Sequence, residues 1–174
     1  MKTQDALMKK ILNRSIGFTI DEVMSGEHEF VDQVGKKGKL PMEFRVTWGP
    51  EQLLQWLNPV KKTFLSQPLK GVVTIDGLCR DTPCQGVLEL RYFQEAKIRY
   101  RFNFQVQDKV YEYQGEKVNI RPWNLHRTHT TCYGTVRELP SGKEVSKSVV
   151  YFRFSTMMSF LGSFRIKINQ DSVG

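Results

Sequence analysis

From Lys97 to Val106 the chain alternates without a break. Ile98, Tyr100, Phe102, Phe104 and Val106 are apolar or aromatic, and Lys97, Arg99, Arg101, Asn103 and Gln105 stand between them. A period of two is the mark of a strand with one buried face and one wet face. Similar runs cover Lys70 to Asp76, Val87 to Phe93, Val110 to Val118, Thr128 to Leu139 and Glu144 to Thr156. Earlier strands are predicted at Phe18 to Met24 and Glu43 to Trp48. The links Gln94 to Ala96, Gln107 to Lys109 and Pro140 to Lys143 are too short for a parallel crossover, so successive strands must run antiparallel. Seven or eight strands in a meander predict a mainly β protein, an antiparallel up-and-down barrel of lipocalin-like or calycin-like architecture. A two-sheet sandwich is the other arrangement this pattern allows.

The remaining segments read as a short helical insertion and terminal helices. Thr3 to Leu12 is amphipathic, with Ala6, Leu7 and Ile11 on one face. Pro50 suits the first position of a helix and Glu51 its positive end. Leu53, Leu54 and Leu57 supply an apolar face, and Asn58 and Pro59 end it. Lys61 to Leu65 reads as a further helical turn. The Gly- and Lys-rich stretch Val34 to Lys39 is a loop, and Cys79 to Cys84, around Arg-Asp-Thr-Pro, is a turn.

A chain of 174 residues with 40% hydrophobic and 25% charged residues is a single globular domain over 1–174. The first residues lack the uninterrupted apolar stretch of a secretory signal, which predicts a cytoplasmic setting and reduced thiols at Cys79, Cys84 and Cys132. The net charge of +8 favours an anionic partner: nucleic acid, an anionic membrane surface or an acidic protein. Arg91, Lys97, Arg99 and Arg101, with Lys36, Lys37 and Lys39, would form the basic face. Single-strand nucleic-acid binders stack bases on exposed aromatics. Tyr100, Phe102 and Phe104 fall on the face opposite the arginines, which argues against nucleic acid. The C-terminal Met157, Met158, Phe160, Leu161 and Phe164, followed by Arg165 and Lys167, form an apolar-basic tail that caps the barrel or rests on a membrane.

Candidate chemistry concentrates at the mouth. The segment from Gly115 to His126 joins two strands and carries Arg121, Trp123 and Asn124 without apolar periodicity, as a specificity loop would. On the preceding strand Tyr111, Tyr113, Gly115 and Lys117 share one face, and Glu112, Gln114 and Glu116 share the other. Neither is purely apolar, so the pattern leaves open which points inward. Glutamates facing inward would invite acid–base work, but unpaired buried acids are costly, which favours a solvated role. His129 and Cys132 are three apart on a strand and point to opposite faces, so they make neither a metal site nor a nucleophile–base pair. No metal, cofactor or catalytic residue is assigned.

The first functional expectation is non-catalytic binding of a hydrophobic small molecule, a lipid or sterol, inside the barrel. Tyr100, Phe102, Phe104, Tyr111, Tyr113 and Phe152 would line it, with Arg121, Trp123 and His129 near the mouth. The alternatives are an interaction module that docks an acidic partner or anionic membrane, and an enzyme acting on a lipid-like substrate through His129, Glu116 or Arg121.

Three groups of motifs carry a family resemblance. Gly26-Glu27-His28-Glu29-Phe30 precedes Pro41-Met42-Glu43-Phe44-Arg45-Val46-Thr47-Trp48-Gly49-Pro50. Gly77-Leu78-Cys79 leads to Pro83-Cys84-Gln85-Gly86. Gly115-Glu116-Lys117-Val118-Asn119-Ile120-Arg121-Pro122-Trp123-Asn124-Leu125 is followed by His129-Thr130-Thr131-Cys132. Together they resemble a small β-rich domain that accompanies cholesterol-oxidase-like oxidoreductases of the glucose–methanol–choline type. The resemblance implies a sterol or lipid setting, with the oxidation performed by a neighbouring domain. No Gly-rich dinucleotide fingerprint follows a strand here, so this chain is not the flavin-binding part.

Overall fold

In the computed structural model, residues 15–31, 35–118, 131–152 and 165–169 are described. Their strands are β1 (Ser15–Phe30), β2 (Leu40–Trp48), β3 (Ser66–Ile75), β4 (Cys79–Arg91), β5 (Lys97–Val106), β6 (Lys109–Lys117), β7 (Thr131–Leu139), β8 (Lys143–Phe152) and β9 (Arg165–Asn169). The short helices are α1 (Leu53–Trp56) and α2 (Tyr92–Glu95). Strands β1 to β8 pair in chain order, every pair antiparallel, and β1 closes the ring by pairing with both β2 and β8. The result is a closed, eight-stranded up-and-down barrel. Closure leaves no free edge around the wall, which is how such a sheet avoids pairing with a neighbour.

β1 is long because it serves three partners. Ile20 to His28 pair with β2, Met24 to Phe30 with β8, and Ser15 to Thr19 run past the barrel to pair with β9. The sequence pattern does not predict β9, whose five residues include Arg165 and Lys167 of the apolar-basic tail. The predicted helix at Thr3 to Leu12 and the apolar part of the tail, 157–164, lie outside the described residues.

Two local expectations are corrected. Cys79 to Cys84 is not a turn but the start of β4, and the reversal lies at Asp76 to Leu78. Pro83 is tolerated there because β4 joins β5 only from Cys84 onward, leaving 79–83 with β3 alone as a neighbour and no ladder bond to lose on the other side. The insertion after Pro50 forms only the four-residue α1, and 61–65 are turns. Leu54 and Leu57 do not form a packed apolar face; they are 65% and 47% exposed.

An eight-stranded barrel is just wide enough for side chains to fill. Phe44, Tyr100, Phe102 and Tyr113 lie across its middle with no more than 1% exposure. Phe102 stacks on Tyr113 at 4.8 Å, and Phe44 meets Tyr100, Phe102 and Tyr113 at 5.4–5.7 Å. Room for these rings comes from inward-facing glycine. A Cβ on Gly134 would stand 2.3 Å from the Tyr113 hydroxyl oxygen, and one on Gly115 would stand 2.6 Å from it. The phenol therefore lies against the inner wall where two strands have no side chain.

The two ends differ in their connections. At one end β3–β4, β5–β6 and β7–β8 join through a few residues each, with Gly142 in the left-handed region (φ 71°) closing the last. At the other end run residues 49–65 with α1, the α2 link, and 118–130, of which 119–130 lie outside the described residues. We call these the hairpin end and the long-connection end. Among the described residues no helix is long and apolar enough to cross a membrane.

Candidate functional site

The inward face of β1 reads Glu22, Met24, Gly26, His28, and places a charged group where the period of two requires an apolar one. On β6 the inward face is Tyr111, Tyr113, Gly115 and Lys117, which answers the question the sequence left open. Glu112, Gln114 and Glu116 lie on the outer face. β1 and β6 are not neighbours in the sheet, yet their side chains meet across the barrel at the long-connection end. The Lys117 ammonium donates to Glu22 Oε1 at 2.8 Å, and both side chains are almost wholly buried.

Two further donors complete the cluster. The Tyr100 hydroxyl donates to the Glu22 carboxylate, 2.9 Å from Oε1 and 3.0 Å from Oε2. The Trp48 indole N–H donates to Oε2 at 3.1 Å. Lys117 also lies 5.1 Å from the centre of the Tyr100 ring and 5.9 Å from that of Phe152, a favourable setting for a cation. Burial, and then the nearby Glu22 charge, raise the Tyr92 phenol to about 12 and the Tyr100 phenol well above its ordinary range. Both phenols therefore stay protonated donors at neutral pH. Cys132, inside the same wall, is pushed up to about 12 by burial even with the Lys117 charge pulling the other way, so it is an inert thiol.

At the hairpin end the inward polar group is His28, 2% exposed. Its Nε2 lies 3.0 Å from the Asp76 carbonyl oxygen, which can only accept, so Nε2 carries the hydrogen. Nδ1 then accepts from the Ser146 hydroxyl at 2.8 Å. Burial lowers the His28 pKa from its ordinary value, and the ring is held neutral. Both ring nitrogens are satisfied.

Of the predicted lining residues, Tyr100, Phe102, Phe104, Tyr111 and Tyr113 are all inward and buried in one cluster, and Phe152 packs on its rim. Arg121, Trp123 and His129 lie outside the described residues. Glu22, Lys117 and Trp48 were not among the predicted site residues. Glu22 and Lys117 nonetheless left a signal, as acidic and basic residues in the inward phase of otherwise apolar-facing strands.

The expected basic stripe is neutralised in part, and among the described residues Arg101, Lys36 and Lys37 meet no carboxylate. Arg91 pairs with Glu89 and Glu95, Arg99 with Glu95 and Glu116, and Lys97 with Glu116. All three cysteines are free, and among the described residues no group of His, Cys, Asp or Glu is arranged to hold a metal. Hollows of about 830 Å³ and 550 Å³ lie against the outside of the wall, the first between the α1 segment and Thr47, Lys70, Gln85 and Asn103, the second beside Tyr133 and Tyr151.

No family model, curated protein or solved structure matches the chain. Nothing in these comparisons links it to the cholesterol-oxidase-like oxidoreductases its motifs resemble.

Proposed function

We propose that this barrel binds, without catalysis, a hydrophobic small molecule carrying one neutral polar group, such as the hydroxyl or carbonyl of a sterol or neutral lipid. The observation that carries the reading is the buried Glu22–Lys117 pair with Tyr100 and Trp48, set inside the wall at the long-connection end. Buried ion pairs contribute little to stability and often cost it, whereas buried polar clusters gather at functional sites. The aromatic packing across the middle supports a site confined to this end, where Phe152 and Leu90 offer apolar contact.

The chemistry of the cluster selects the polar group. Glu22 and Lys117 neutralise each other, so a second carboxylate would enter beside Glu22 without a counter-charge of its own. A hydroxyl or carbonyl instead accepts from a remaining Lys117 N–H without adding charge. Fatty acids are therefore disfavoured relative to sterols. An enzymatic role has less support, because Glu22 is fully engaged as an acceptor and Cys132 and Tyr100 are held protonated.

Native mass spectrometry of the purified protein, with extraction of what co-purifies and a panel of sterol, monoacylglycerol and fatty acid, tests this. A stoichiometric neutral lipid, with weaker uptake of fatty acid, is the expected result. A clean apo mass with no uptake from the panel would remove the reading.

A further inference from the structure

We infer that the long-connection end is a membrane-docking surface whose partner is an anionic lipid bilayer. This goes beyond the ligand reading, because it rests on side chains outside the barrel and holds whether or not the interior takes up a molecule. On the segment after Pro50, Leu54 and Leu57 are 65% and 47% exposed, and Val60 is 91% exposed. Across from them Phe93, on α2, is 84% exposed and stacks at 6.4 Å on Phe64 of the same segment. At the hairpin end, among the described residues, Val110 is the exposed large hydrophobic side chain, at 38%. Clustered exposed apolar side chains mark interaction sites, and this cluster is carried on protruding connections rather than in a groove.

The charge beside the cluster selects the partner. Lys61 and Lys62 directly follow Val60, and both are exposed. Among the described residues neither meets a carboxylate; Lys61 Nζ donates to the neutral Gln55 amide oxygen at 2.6 Å. The neighbouring Glu89, Arg91, Glu95, Lys97, Arg99 and Glu116 balance within themselves, and Glu51 faces the groove on the barrel's flank. A pocket of about 200 Å³ between the two connections is lined by Lys61, Lys62 and the Glu89–Arg91 pair beside Phe64 and Phe93. Apolar tips flanked by unpaired lysines match a bilayer interface, where acyl chains take the tips and anionic head groups take the ammonium groups.

The test is co-sedimentation of the full chain with vesicles of phosphatidylcholine alone or mixed with phosphatidylserine. We expect binding to the mixed vesicles that weakens at high salt. Val60→Asp with Phe93→Asp should abolish it, while Val110→Asp at the opposite end should leave it intact. Lys61→Gln with Lys62→Gln should weaken it roughly thirty-fold, from the usual contribution of each basic residue near an anionic surface. These positions are exposed, so the fold is spared, and an unchanged far-ultraviolet circular dichroism spectrum verifies it. Absence of binding to both vesicles, or equal salt-insensitive binding to both, would overturn the inference. So would a concentration-dependent dimer, formed without vesicles and broken by the aspartate variants, since it would assign the patch to a second copy of the chain.

Discussion

The two ends of the barrel solve one problem in different ways. Each encloses a polar group beside an aromatic middle and gives it hydrogen-bond partners. The hairpin end does so with neutral groups: a neutral His28 ring between the Ser146 hydroxyl and the Asp76 carbonyl, under short turns. The long-connection end uses full charges, Glu22 and Lys117, with a phenol and an indole as extra donors. Neutral hydrogen bonds are sufficient to close a barrel. Charge inside the wall demands another explanation, and its place under the long connections is why we propose a ligand site there.

The contrast is open to direct attack. The largest expected effect is from Lys117→Met, which leaves the Glu22 charge buried and unpaired and should cost about 3–5 kcal/mol in chemical denaturation. Replacing both partners, Glu22→Leu with Lys117→Met, should recover most of that loss, because an apolar pair of similar volume is often as stable as a buried ion pair. A single-variant cost below about 1 kcal/mol would place the pair in the class of surface bridges and erase the difference between the ends.

Between the ends, Gly134→Ala forces a methyl group against the Tyr113 phenol and should cost about 1–3 kcal/mol by the same assay. No loss there would mean that the middle is loosely packed and that a ligand has more of the barrel available.

At the hairpin end, acid should matter. The folded-state pKa of His28 lies below the unfolded value of 6.5, so the unfolded chain binds more protons between the two. The His28 contribution is complete above about pH 6.5 and is lost as pH falls through the folded value. Urea midpoints measured from neutral to mildly acidic pH should fall, and His28→Gln should flatten that part of the profile. An unchanged slope in the variant would assign the acid sensitivity elsewhere. Arg137→Ala, which breaks the half-exposed Arg137–Glu144 bridge at this same end, should change stability by no more than about 1 kcal/mol.

How far the sequence discloses this molecule follows from the range of the interactions. The alternation from Ile98 to Val106 is a local property, and it correctly separated the inward rings from the outward arginines. The short links were equally local, and the antiparallel meander followed from them. The Glu22–Lys117 contact joins residues 95 apart on strands that are not neighbours. It exists only because β1 closes the ring, so neither residue's surroundings in the chain announce the other. Cys79 to Cys84 misled because a proline beside polar residues signals a turn, while the absence of a β5 partner that makes Pro83 tolerable is a property of the assembled sheet. The leucines of α1 misled for a related reason: helical spacing identifies a face but not whether anything covers it.

The most direct test of a ligand site at the long-connection end uses Trp48, whose indole hydrogen-bonds Glu22. With Trp56→Phe and Trp123→Phe, Trp48 is the sole tryptophan, and its emission can be followed while a sterol is titrated in. A saturable change, lost in Glu22→Leu with Lys117→Met, is the predicted result. A flat titration in the folded protein, with an emission spectrum indifferent to every neutral lipid offered, would contradict the account.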